Sequence, residues 1–144
     1  MNILILGRSL DQQLELFQKN HESSIEALII NLISINIKTK NNIDIYFCDV
    51  CANNDGRIYI LNMEKFNMVN NTKYNIRLIS KKVTIAEDFD SQEELYKKIN
   101  LKNKIDIIIN DMGTIYFFEF YTLIELINNF LKVNGKALLV GFEY

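Results

Sequence analysis

What most constrains this chain is its apolar runs at 2–6, 105–109 and 137–140, none of which alternates with polar residues. A strand with one wet face alternates. A strand buried on both faces does not, and such strands belong to parallel sheets covered by helices. Helical patterns lie between the runs. Ser9 with Gln12 forms a capping box ahead of Leu10, Leu14 and Phe17. Ser23 to Glu26 opens a second helix, with Ile25, Leu28, Ile29, Leu32 and Ile33 on one face. Ser91 with Glu94 opens a third through Leu95 and Ile99, and a fourth spans 118–131, ended by Asn134-Gly135.

Further strands are expected at 43–50 and 57–61, around the turn Asn53-Asn54-Asp55-Gly56. These two either form a hairpin or are separated by the turn into a sheet strand and a peripheral one. Short strands are expected at 74–79 and 83–86, a loop or weak helix at 62–74, and the last strand at 136–142. The expectation is an α/β chain: a single three-layer Rossmann-like domain over 1–144, its central sheet mostly parallel with about five or six strands.

The totals exclude several classes. At 144 residues, with 49% hydrophobic and 24% charged, the chain can build one core without disulfides or metals. A formal net charge of -2 supplies no field for nucleic acid or an anionic membrane. No stretch reaches membrane length and no leader is visible, so the expected location is cytoplasmic, or the interior of a virion or organelle. Cys48 and Cys51 make one C-x-x-C, half of a four-ligand zinc set, and they lie in strand-like sequence rather than before a helix, so they read as thiols. His21 is the one histidine, which leaves no triad to argue. Ile43 to Lys65 loosely resembles a metal-dependent nuclease hairpin, but Glu64 and Lys65 are adjacent where that motif spaces them. The aromatic stretch Tyr116 to Tyr121 reads mostly as core, or as a partner surface where exposed.

Ligands of open α/β sheets bind beyond the carboxyl ends of the strands. Three strand ends here carry suitable groups. Gly7-Arg8-Ser9 precedes a helix whose N–H groups can meet an anion. Asp49 closes the 43–50 strand, where an acid can accept from ribose hydroxyls. Asn110-Asp111 closes the 105–109 strand.

The stretch from Lys104 to Asp111, the helix after it, and Leu131-Lys132-Val133-Asn134-Gly135-Lys136-Ala137-Leu138 resemble the class I S-adenosylmethionine-dependent methyltransferases. The resemblance covers about the last 40 residues well and the rest in outline. It implies S-adenosylmethionine as cofactor, with Gly7 at the first-strand turn, Arg8 and Ser9 beside it, and Asp49 on the ribose. Asn110 and Asp111 would lie at the methyl-transfer site. The chain departs from the family in having one glycine at the first turn and in stopping after the fifth strand. Those departures suit the alternative, a non-catalytic Rossmann-like module that binds a protein partner or self-associates through an open sheet edge.

Overall fold

The computed structural model describes residues 1–18, 42–60, 75–110 and 118–139, without the side chains of 16–18. Nine elements follow in order: β1 (Asn2–Leu6), α1 (Leu10–Gln18), β2 (Asn42–Asp49), β3 (Ile58–Ile60), β4 (Asn75–Lys82), α2 (Phe89–Ile99), β5 (Ile105–Asn110), α3 (Phe120–Phe130) and β6 (Leu131–Leu139). They build one six-stranded sheet in the order β3-β4-β2-β1-β5-β6.

β1 lies at the centre because its apolar residues are covered on both faces. It pairs in parallel with β2 and with β5. Ile3 and Ile5 face one way, with Ile43, Ile45 and Phe47 of β2, Ile76 and Leu78 of β4, and Leu10 and Leu14 of α1. Leu4 and Leu6 face the other way, into a second core. Cys48, Ile105 and Ile108 join them there, under Leu95 and Ile99 of α2 and Leu123, Leu126, Ile127 and Phe130 of α3. Tyr96 and Phe130 rings, 5.1 Å apart, lock α2 to α3, and Asn129 Nδ2 donates to the Tyr96 hydroxyl at 2.9 Å.

The expected three-layer Rossmann-like domain is corrected by this arrangement. The sheet is mixed, because β3 runs antiparallel to β4 at the edge. The described residues hold only three helices, of nine, eleven and eleven residues, and strand outweighs helix among them. The reason lies in β3. Its three residues, Ile58-Tyr59-Ile60, leave both isoleucines exposed, so they need only an edge and no helix to cover them. Of the two alternatives for 43–50 and 57–61, the second holds: the turn separates a sheet strand, β2, from a peripheral one, β3, which pairs with β4 at the edge.

Other boundaries move for local reasons. Of the two short strands expected at 74–79 and 83–86, the first forms and runs on to Lys82 as β4, while 83–86 is not a strand. α2 begins at Phe89, and Asp88 rather than Ser91 caps it, its carboxylate accepting the Ser91 N–H at 3.0 Å. Asn134-Gly135 does not end α3. It sits inside β6, where five residues pass while β5 advances two, from Ile105↔Leu131 to Ile107↔Lys136. Asn134 takes a left-handed φ of 66° there. A Cβ on Gly135 would lie 3.0 Å from the Lys132 carbonyl and 3.1 Å from that of Ile105, so only glycine lets the backbones approach this closely. The helix expected from Ser23, the segment 62–74, His21, Glu64 and Lys65 lie outside the described residues.

Candidate functional site

The carboxyl ends of β2, β1 and β5 lie side by side at the middle of the sheet. Leu6 is in register with Cys48 on one side and with Asn110 on the other. Gly7 extends β1 by one step, its N–H donating to the Cys48 carbonyl at 2.8 Å. It then turns with φ 90°, a conformation that disfavours any side chain. The chain can therefore leave the sheet at once and start α1 three residues later. This turn brings Gly7, Asp49 and Asn110 to one rim.

Asp49 is half-buried at the end of β2. Its Oδ1 accepts the Cys51 N–H at 2.9 Å, and its carbonyl accepts from Ala52 and Val83. It is thus a fixed carboxylate with a second oxygen to offer. Arg8 is half-buried in the turn. Ser9 is buried, and its carbonyl accepts the Gln13 N–H at 3.3 Å. The capping box expected with Gln12 does not form: the Ser9 hydroxyl has no partner. Asp111 lies outside the described residues.

Among the described residues, the buried side-chain N and O atoms without a partner belong to Ser9, Ser80 and Asn110. All three lie at or near the carboxyl ends of the strands. Ser80, two residues before the end of β4, is in register with Phe47, on the α1 side of the sheet. Asn110 shares the opposite face with Leu6 and Ile108, and both its Nδ2 and its Oδ1 are unpaired at 0% exposure. A buried polar group without a partner costs about 1–3 kcal/mol, so their gathering at one rim marks that rim as unlike the rest of the interior.

The turn Asn53-Asn54-Asp55-Gly56 belongs to a loop that leaves the carboxyl end of β2 beside this rim. Residues 50–57 are pinned to α1 by Asp11, whose carboxylate accepts from Asn53 N–H at 3.0 Å and Asn54 Nδ2 at 3.2 Å and faces Arg57 at 3.6 Å. Asp55 pins them on the other side, accepting the Lys82 N–H at 2.8 Å and Lys98 Nζ at 3.2 Å. The signal for Asp11 was an acid in the first turn of a helix, a position the helix dipole favours.

Cys48 is buried in the second core and Cys51 is exposed. Among the described residues no three His, Cys, Asp or Glu gather as a metal site, and no helix is long and apolar enough to cross a membrane. Of the aromatic stretch, Phe118 is partly buried against the core, whereas Phe120 and Tyr121 are exposed. No protein-family model, no curated protein and no solved structure matches this chain.

Proposed function

We propose that the rim around Gly7, Asp49 and Asn110 binds S-adenosylmethionine, and that the domain is a minimal methyltransferase. The observation behind this reading is the gathering of unpaired buried polar groups, Ser9 and Asn110, on either side of the Gly7 turn. A ligand crossing the central strand end would give them partners. Asp49 is next to that turn and offers a carboxylate oxygen to ribose hydroxyls. Asn110 would orient the methyl acceptor. Methyl transfer needs chiefly proximity and alignment of the reacting atoms, so a site without a strong base suffices. S-adenosylhomocysteine should raise the melting temperature in proportion to the logarithm of its concentration. Asp49→Asn, which keeps an acceptor for Cys51, should remove most of that rise. No shift in well-folded protein would overturn the proposal.

A second reading, a non-catalytic module that binds protein or self-associates, is favoured by β6. Val133 and Leu138 are exposed on this edge strand, and exposed edges invite pairing. Sedimentation analysis tests it: concentration-dependent dimers that Leu138→Lys dissolves would support it, and a monomer throughout would count against self-association.

A further inference from the structure

α2 and α3 lie side by side and run the same way. Two contacts fix this. Thr122 Oγ1 donates to Glu87 Oε1 at 3.1 Å at the helix starts, and Asn129 Nδ2 donates to the Tyr96 hydroxyl at 2.9 Å further down. The inner faces of both helices are spent on the second core, through Leu95, Ile99, Leu123 and Ile127. Helix periodicity then decides what borders the seam on the outside. On α2, Glu93 and Phe89 precede Tyr96 by three and seven residues and share its stripe. On α3, Glu125 lies between Thr122 and Asn129 on their stripe, with Tyr121 one turn before it. All four are exposed, Phe89 at 75% and Tyr121 at 84%. Phe120 stands edge to face with Tyr121, 6.0 Å away.

Large rings grouped in water are the composition of a contact surface rather than of an ordinary helix exterior. The charge around them has one sign. Residues 83–96 hold five acids and no base, and 118–131 hold two acids and no base, in a chain whose net charge is only -2. Glu94, on another stripe of α2, is answered by Lys98 at 3.7 Å. Glu93 and Glu125 instead border the seam from its two sides, and like charges so placed repel. A cation between them answers both carboxylates, and the faces of the neighbouring rings attract the same cation. An anionic surface, whether membrane or nucleic acid, is repelled. We propose that the outer α2–α3 seam docks a basic protein segment, whose arginine side chains sit between Glu93 and Glu125 with Phe89 and Tyr121 against them. The proposal is independent of the S-adenosylmethionine reading and of the β6 edge.

The test is fluorescence anisotropy of a labelled, end-blocked peptide of alternating arginine and serine, titrated with the full chain. The peptide should bind saturably and more weakly as salt is raised. It should bind at least about tenfold more tightly than the same peptide with citrulline, which keeps the shape of arginine and loses its charge. Glu93→Gln and Glu125→Gln should each weaken binding about threefold or more, while Glu94→Gln, the same charge change on another stripe, should leave it within about twofold. Phe89→Ala with Tyr121→Ala should weaken it about threefold or more. These side chains are exposed, so circular dichroism should show every variant folded. No binding by folded protein, equal binding of the two peptides, or equal losses from Glu93→Gln and Glu94→Gln would overturn the docking seam. Self-association of the wild type that Tyr121→Ala dissolves would give the face to a second copy and overturn it too.

Discussion

Asp11, in the first turn of α1, accepts the backbone N–H of Asn53 at 3.0 Å and so fastens the β2–β3 loop to the helix that starts at the Gly7 turn. The loop's partners come from α1, β4 and α2 together, through Asp11, Ser80, Lys82 and Lys98. Asp11→Ala should therefore lower stability by about 1–2 kcal/mol, the range for losing a hydrogen-bonded cluster at a partly buried acid. Urea denaturation should show a lower midpoint and an unchanged slope.

The same contacts give the loop a pH dependence. Burial pushes the Asp11 carboxyl up, but the bonds from Asn53 and Asn54 and the charge of Arg57 outweigh it and leave it below the usual value. Asp55 is held down first by the Lys82 N–H bond, against burial, and then by Lys98. A carboxyl with a depressed folded pKa contributes stability above its unfolded pKa of about 4, and that contribution is lost as pH falls through the folded value. The urea midpoint should thus fall on acidification below about pH 4. Asp11→Asn with Asp55→Asn should start lower and fall less.

Gly135 predicts a sharper loss. An alanine Cβ would meet the Leu131 side chain at 2.8 Å and two backbone carbonyls at 3.0 and 3.1 Å. The leucine can rotate away, but the carbonyls of Lys132 and Ile105 belong to the sheet. Gly135→Ala should destabilise by about 1–3 kcal/mol, read as a lower melting temperature, whereas Asn134→Gly at the neighbouring left-handed position should be neutral or mildly stabilising.

The two thiols should separate cleanly under alkylation. Burial pushes the Cys48 thiol far up, out of the range where thiolate forms near neutral pH. Cys51 is exposed. Mass spectrometry after iodoacetamide at pH 8 should show one adduct on native protein, at Cys51, and two in denaturant.

The parts of the fold legible in the sequence were those set by burial. The runs Ile3–Leu6 and Ile105–Ile109 are covered strands as expected, whereas 137–139, read the same way, belongs to the edge strand β6 and leaves Ala137 and Leu138 exposed. What stayed hidden depended on partners distant in sequence. β3 is too short to announce which strand it pairs with. Asn134-Gly135 has the composition of a helix stop and serves as a bulge, because the close carbonyl of Ile105 is invisible until β5 and β6 are paired. That Gly7, Asp49 and Asn110 share one rim was legible from their places at strand ends. Ser80 and the loop-holding roles of Asp11 and Asp55 were not, since each depends on contacts 27 to 43 residues away or on burial alone.

The proposed cofactor rim is tested by S-adenosylhomocysteine binding, measured by isothermal titration calorimetry on wild type and Asp49→Asn. Wild-type protein should bind saturably with a Kd of about 1–100 µM, about −8 to −5.5 kcal/mol, and the substitution should weaken this at least about tenfold, or about 1.4 kcal/mol. No heat of binding from folded wild-type protein, or equal binding by the variant, would contradict it.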